Sequence, residues 1–158
     1  MPEFIMEGRD HAARAESDFV LGFIEAMFFT ETGHVDSESW LNADPEERTS
    51  DGRLPSDVGY TDLHPDSLEK IRTDCGVWQI LNMGILERAY ATGYDETQAG
   101  RDYWFTRNGH GVGFWDRPEL KPHGLGEALT EACRGRDIHV WFADHVTYGD
   151  APFVHVHV

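Results

Sequence analysis

Two histidines near the C-terminus have a spacing that suits metal chemistry. His155 and His157 lie two residues apart in a segment with the alternation of a β-strand, so both side chains are expected on one face. Such a pair can chelate a metal ion, and His139, Asp144 and His145 can join it if the two terminal strands pair. The alternative is a terminal strand with solvated imidazoles. We predict no native metal site and no cofactor, and His155 and His157 are the candidate ligands if a metal does bind.

A second group of chemically capable side chains lies in residues 101–117. Arginines in this segment can grip an anion, and His110 can exchange a proton. The alternative is a structural role. Asn108-Gly109 is the preferred pair for a two-residue type I′ turn, which predicts a β-hairpin over residues 102–116. Trp104 would then lie over Gly113 on one face of the hairpin. We predict no catalytic residue here and assign a scaffold role to Asp102, Trp104, Asn108, Gly109, His110, Gly113 and Trp115.

The charge of the chain limits its partners. The net charge is −16, and the first 66 residues hold 16 of the 29 acidic residues but only four of the 13 basic ones. Binding to phosphates or anionic lipid needs Lys and Arg to displace counterions, so direct contact with nucleic acid or membrane is disfavoured. An acidic surface instead favours a partner with a basic surface. Plain solubility is the alternative explanation of the charge.

The acidic residues are concentrated in residues 31–63, where hydrophobic periodicity stops and Gly, Pro, Ser, Asp and Glu dominate. We predict a long acidic loop, a feature that is usually functional when it occurs in a compact domain. Trp40 in this loop or Trp115 in residues 102–116 is the expected exposed anchor. The predicted partner-binding residues are Glu31, Asp36, Glu38, Asp44, Glu46, Glu47, Asp51, Asp57, Asp62 and Trp40.

The remaining segments predict the elements that position these groups. Residues 17–30 have helical spacing behind a cap at Ser17 or Asp18. A second helix starts at Pro65, with Ile80 and Leu81 assigned to its apolar face, and Gly76 and Gly84 weaken it, which predicts a break or kink before Tyr90. Asp95 and Gln98 resemble a capping box for a short helical turn that ends at Gly100. A third helix follows at 125–134, and 138–142 and 152–158 alternate as strands. We predict one α+β domain over residues 1–158, with N-terminal helices packed on a small antiparallel sheet that includes the hairpin, and with residues 1–16 flexible.

No apolar run is long enough to span a bilayer, and no secretory signal pattern opens the chain, which predicts a cytoplasmic protein. The two cysteines, Cys75 and Cys133, have no motif spacing and are predicted to be buried thiols. Residues 1–5 resemble a cloning remnant, so they carry no argument.

Residues 98–117 read Q-A-G-R-D-Y-W-F-T-R-N-G-H-G-V-G-F-W-D-R. This run resembles the signature of a family of small proteins encoded by phages, prophages and plasmids. The resemblance extends to residues 19–32, 63–75 and 126–132, and it implies a mobile-element origin. That family has no established activity, so no catalytic residues carry over. The chain departs from the usual pattern in residues 117–124 and in its histidine-rich tail.

Together these features predict an acidic, non-enzymatic protein that acts in the cytoplasm of a host cell. Its partner would be a defence protein with a basic nucleic-acid-binding groove, such as a CRISPR effector or a restriction enzyme, inhibited by nucleic-acid mimicry or surface binding. One alternative is a small metal-binding or hydrolytic enzyme that uses its histidines. Another is a structural or assembly protein of a phage particle.

Overall fold

The computed structural model describes residues 8–44, 54–136, 138–143 and 153–158. This part of the chain forms six α-helices and two β-strands, joined by short 3-10 helices. The elements are α1 (Asp18–Glu31), α2 (Ser37–Asn42), α3 (Pro65–Leu81), α4 (Met83–Tyr90), α5 (Glu96–Asn108), α6 (Leu125–Ala132), β1 (His139–Ala143) and β2 (Phe153–His157). Among the described helices, none has the length and apolar character needed to cross a membrane.

The centre of the fold is the crossing of α1 and α5. The Ser17 hydroxyl accepts a hydrogen bond from the Val20 amide and caps α1, as predicted. The two helices approach so closely that a Cβ on Gly22 would lie 2.0 Å from the Thr97 carbonyl oxygen, and one on Gly100 would lie 1.9 Å from that of Phe19. Large rings then fill the space around the crossing: Phe19, Phe23, Trp78, Tyr103 and Trp104 are all fully buried. Only glycine at both positions permits this contact.

The long predicted helix that begins at Pro65 is divided in two. Pro65 occupies the first turn of α3, where its missing amide hydrogen costs nothing, and the His64 side chain caps the start. The helix ends at Leu81, and α4 begins at Met83 after Asn82. The predicted break before Tyr90 is therefore confirmed, and it lies at Asn82.

The two C-terminal strands pair as predicted. They are antiparallel, with His139 opposite His157 and Trp141 opposite His155. The alternate residues Val140, Phe142, Val154 and Val156 are buried, so one face of the sheet packs on the helices. The Ser67 hydroxyl accepts from the Val156 amide and ties β2 to α3. Helices packed on a small antiparallel sheet confirm the predicted α+β class.

The predicted hairpin over residues 102–116 is wrong. Residues 96–108 form α5, and Gly109 ends that helix in the left-handed conformation at φ +63°. Asn-Gly suits this helix cap as well as it suits a type I′ turn, because both need a residue that tolerates positive φ. The predicted cap at Asp95 is confirmed, since its side chain accepts from the Gln98 amide at 2.7 Å, but the helix continues past Gly100.

Two segments predicted as loose contain regular structure in the parts that the structure describes. Within residues 31–63, the described part contains α2 and a 3-10 helix at Tyr60–Asp62, and Leu54 exchanges backbone hydrogen bonds with Glu31 and Gly33. Near the N-terminus, residues 8–15 form a 3-10 helix, and Glu16 accepts a 2.6 Å hydrogen bond from the Tyr60 hydroxyl. These contacts join distant parts of the chain. They hold both segments against the body of the protein, although the local sequence of each segment has no hydrophobic periodicity.

Candidate functional site

The ten residues predicted to bind a partner do not share one environment. Glu46, Glu47 and Asp51 lie outside the described residues. Glu31 and Trp40 are buried. The side chains left at the surface belong to Asp36, Glu38, Asp44, Asp57 and the half-buried Asp62.

Three of these carboxylates surround the start of α2, and we call Asp36, Glu38 and Asp57 the α2 carboxylate cluster. Asp36 caps the helix by accepting from the Ser39 amide at 2.8 Å, which lowers the pKa of its carboxyl. Asp57 reaches the same turn from 20 residues away and accepts from both the Ser37 amide, at 2.7 Å, and the Ser37 hydroxyl, at 2.8 Å. The helix therefore holds two carboxylates in fixed positions, with Glu38 in the same turn.

No basic side chain among the described residues neutralises the cluster. The hydrogen bonds to Asp36 and Asp57 come from backbone amides and a serine hydroxyl. Between Arg14 and Lys70 the sequence contains only two basic residues, Arg48 and Arg53, and both lie outside the described part of the chain. The α2 carboxylate cluster is thus a rigid, negatively charged corner of the surface.

The predictions for Glu31 and Trp40 as surface residues are wrong. Glu31 ends α1, is 6% exposed, and lies with its Oε1 atom 3.5 Å from Nε2 of His110. Trp40 is 8% exposed and packs edge-on against Phe142 of β1, with ring centroids 4.9 Å apart. Both side chains hold the acidic segment to the body of the protein and are not accessible to a partner.

The arginines of residues 101–117 are committed to inward ion pairs. Arg101 donates to the buried Glu25 at 3.0 Å, Arg107 donates to Asp74 at 2.6 Å, and Arg117 donates to Asp102 at 2.8 Å. Burial raises the pKa of Glu25 against the opposing effect of Arg101. These guanidinium groups are therefore not arranged to grip an external anion.

The predicted scaffold residues do have structural roles, but in a helix end rather than a hairpin. Asp102 is completely buried, and Trp104 donates to the Thr30 hydroxyl at 2.7 Å. The Asn108 side chain donates to the Trp104 carbonyl one turn earlier, just before Gly109 ends the helix. His110 lies beside the Trp104 ring, with centroids 6.4 Å apart.

After the helix end, the chain folds back on α5. The Thr106 hydroxyl accepts from the Phe114 amide at 3.3 Å. Gly113 faces the Trp115 ring, which a Cβ there would meet at 2.3 Å, so this glycine is required by close packing. Trp115, and not Trp104, is therefore the ring that lies against Gly113, and it remains 37% exposed.

A cavity of about 650 Å³ lies beside α3 and the end of β2. Its walls include Lys70, Asp74, Arg136 and His157. Asp74 accepts from the Tyr103 hydroxyl at 2.9 Å and from the guanidinium groups of Arg107 and Arg136. Asp66 and Glu69 also line the cavity, so three carboxylates balance the charges of Lys70, Arg107 and Arg136. The thiols of Cys75 and Cys133, which are separate from this cavity lining, are buried, as predicted. Burial raises the pKa of Cys133 to about 12.

The histidines of the tail form a row of stacked rings on the outer face of the sheet. His155 stacks on Trp141 and on His64, with centroids 5.4 and 5.1 Å away, and His139 stacks on His157 at 6.4 Å. His155 and His157 share one face of β2, as the spacing predicts. No group of three His, Cys, Asp or Glu side chains in the described ranges is placed to hold a metal ion. His145 and Asp144 lie outside those ranges.

The stacked histidines predict a loss of stability in mild acid. Burial, and then the neighbouring His64 and Lys70, lower the pKa of His155 below 6.5 in the folded protein. Protonation of His155 therefore favours the unfolded chain. The contribution of neutral His155 to the stability of the fold is complete above pH 6.5 and is lost as the pH falls through the pKa of His155 in the folded protein. The free energy of unfolding, measured by urea denaturation from pH 7.5 to pH 5, should fall less in His155→Gln than in the wild type.

The control for that measurement is His123→Asn, because His123 is exposed and its φ of +66° is one that asparagine tolerates. This variant should keep the wild-type pH dependence. An equal decrease in the free energy of unfolding from pH 7.5 to pH 5 in His155→Gln and in the wild type would contradict the assignment of this pH dependence to His155.

One surface was missed by the sequence analysis. Ile80 and Leu81, assigned to the inward face of the second helix, are 71% and 68% exposed, and Val77 and Met83 beside them are 47% and 56% exposed. Helix periodicity cannot identify the inward face where a helix ends and turns. A usable signal was present, since residues 75–86 contain no charged side chain in a chain of net charge −16.

Comparison with known proteins identifies no relative of this chain: no family model, no curated protein and no solved structure matches it. The resemblance of residues 98–117 to the mobile-element family therefore stays a prediction.

Proposed function

We propose that this protein is a non-enzymatic binding protein that uses the α2 carboxylate cluster and the adjoining acidic residues to occupy the basic nucleic-acid-binding surface of a host defence protein. The observation that carries the proposal is the fixed position of Asp36 and Asp57. Hydrogen bonds from Ser37 and Ser39 hold these carboxylates in place, so little side-chain entropy is lost when a partner binds them.

The distribution of arginine supports the same conclusion. Arg101, Arg107 and Arg117 pair with inward carboxylates, so these three guanidinium groups do not offset the negative charge at the surface. A groove built from Lys and Arg to bind phosphates would be attracted to such a surface over a distance of about one Debye length, roughly 8 Å at physiological salt. Because residues 98–117 resemble a family of phage and plasmid proteins, a host defence complex is the proposed class of partner.

Charge reversal near α2 tests the proposal. Glu38 and Asp44 are exposed, and neither caps a helix, so Glu38→Lys with Asp44→Lys should leave the fold intact. We expect the double variant to bind a purified CRISPR effector or restriction enzyme about tenfold more weakly, a change of about 1.4 kcal/mol. In cells that carry the same defence system, the wild type should restore plating of a restricted phage, and the double variant should not.

A matched control separates a local effect from a general change of charge. Glu127 and Glu119 are exposed, and Glu127 lies in the first turn of α6, as Glu38 does in α2. Glu119→Lys with Glu127→Lys makes the same change in net charge elsewhere and should bind like the wild type. Equal losses in both double variants would contradict a defined binding face, and failure of the wild type to inhibit any of the systems tested would contradict the inhibitor role.

A further inference from the structure

Two adjoining cavities lie beside α3 and the end of β2. One of about 650 Å³ and one of about 320 Å³ share four residues in their walls: Asp74, Arg136, His157 and Val158. The smaller one, here called the inner compartment, is also lined by Arg107 and Gly135. The larger one, here called the outer compartment, is also lined by Asp66, Glu69, Lys70, Thr73 and Val77. The names follow the exposure of the walls, since the Arg107 side chain is 1% exposed and that of Asp66 is 84% exposed.

The two compartments differ in the sign of their charge. The inner compartment has two arginines and one aspartate, so its side chains carry a positive excess of one. The residues that line only the outer compartment include two carboxylates and one lysine, which gives a negative excess of one. His157 lines both compartments and adds charge only when it is protonated. The side-chain charges are therefore balanced in total, but positive at one end and negative at the other.

Hydrogen bonds fix the positive end. Asp74 accepts from the Tyr103 hydroxyl at 2.9 Å and from Arg107 at 2.6 Å, and Nε of Arg107 donates to the Arg136 carbonyl at 3.1 Å. The Arg136 guanidinium makes a single contact within the described part of the chain, from Nη1 to Asp74 at 3.4 Å, which is long for a hydrogen bond. A guanidinium group has several N–H donors, so Arg136 keeps donors for a ligand.

The negative end lies nearer the start of α3. Glu69 precedes Asp74 by five residues, and a helix rises about 1.5 Å per residue, so the two positions are about 7.5 Å apart along the helix axis. The Glu69 carboxylate also lies 3.5 Å from Arg72, but Arg72 donates to Glu16 as well, so Glu69 is only partly neutralised. The uncharged part of the outer wall consists of Thr73, Val77 and Val158.

We propose that the two compartments together bind a small zwitterion, a molecule with one carboxylate and one amino group joined by a short apolar chain. The carboxylate lies at Arg136, whose planar guanidinium can donate two parallel hydrogen bonds to it. The amino group lies between Asp66 and Glu69, and the apolar chain runs along Thr73 and Val77. The extended chain of ε-aminohexanoate separates its two charges by a distance similar to the separation of the two ends.

A ligand with a single charge fits the cavity less well. The net charge of −16 repels a simple anion, and a simple cation leaves the donors of Arg136 unused. A zwitterion has no net charge and meets both ends. Because the Asp66 and Glu69 side chains are largely exposed, solvent weakens their attraction for the amino group. We therefore expect a dissociation constant on the order of a millimolar.

Nuclear magnetic resonance titration of the isotope-labelled full chain with ε-aminohexanoate tests this inference. We expect saturable shifts of the amide signals of Thr73, Val77, Gly135 and Val158, which line the two compartments. Hexanoate and hexylamine each lack one charged group, so each should bind at least about tenfold more weakly.

Two substitutions assign the two ends. Arg136→Gln should weaken binding of ε-aminohexanoate by about tenfold and should also abolish the weak binding of hexanoate. Glu69→Gln should weaken binding of ε-aminohexanoate by about threefold and leave hexanoate unaffected, a difference that a general loss of structure does not produce. Arg134→Gln is the matched control, because Arg134 is exposed, pairs with Glu131 and lies outside the lining, so it should bind like the wild type.

Three results would overturn the inference. One is the absence of saturable shifts at the lining residues up to about 50 mM ε-aminohexanoate. Another is hexanoate that binds as tightly as ε-aminohexanoate, since the negative end would then contribute nothing. The third is an equal loss of binding in Arg134→Gln and Arg136→Gln, which would show a general effect of charge rather than a site at Arg136.

Discussion

Gly100→Ala should destabilise the protein by about 3 kcal/mol or more, because the new methyl group has no space. It would lie 1.9 Å from the Phe19 carbonyl oxygen and 2.8 Å from the carbonyl carbon, and both are backbone atoms of α1 that cannot rotate away. The two helices would have to separate, and the rings of Phe19, Phe23 and Tyr103 around the crossing would lose contact. Urea denaturation followed by circular dichroism measures the change.

Gly76→Ala is the natural comparison, because Gly76 is also inside a helix but a Cβ there meets nothing within 4 Å. Alanine restricts the unfolded chain more than glycine does, so this variant should be more stable by about 0.5–1 kcal/mol. The same substitution thus has opposite signs at two helical sites. A Gly100→Ala protein as stable as the wild type would mean that α1 and α5 do not cross at these glycines.

The error at residues 102–116 shows what local sequence can decide. Asn108-Gly109 meets the backbone requirement of a hairpin turn and of a helix end equally well. The deciding fact is the burial of four consecutive residues, Asp102 to Phe105, which a strand with one solvated face does not allow. That burial depends on the distant Gly22, which permits α1 to approach α5, and no local pattern contains this information.

Elements whose signals are local were predicted correctly. Ser17 and Pro65 mark the starts of α1 and α3 through capping and proline geometry, which depend only on neighbouring residues. The strand alternation in the tail likewise depends on one buried face. In residues 31–63, the composition correctly indicated the negative charge. It did not indicate the burial of Glu31 and Trp40, because that burial comes from contacts with His110 and Phe142, which are far away in sequence.

Asp102→Asn should cost about 3 kcal/mol, for an electrostatic reason rather than a steric one. The Asp102 carboxylate is completely buried and accepts hydrogen bonds from Arg117, from the Tyr94 hydroxyl at 2.5 Å and from the Gln98 side chain at 3.1 Å. Asparagine has nearly the same shape, so packing is preserved. The Arg117 guanidinium, however, loses the charge that compensates its desolvation. Chemical denaturation at pH 7 gives the change in the free energy of unfolding.

Asp116→Asn tests whether the loss is specific to the buried site, because Asp116 is exposed and its neutralisation should change the stability by less than about 0.5 kcal/mol. Arg117→Gln combined with Asp102→Asn gives the coupling directly: the double variant should lose much less than the sum of the single losses, since it leaves no unpaired buried charge. Additive losses would show that Asp102 and Arg117 act separately and that their ion pair does not hold the segment from Gly113 onward to α5.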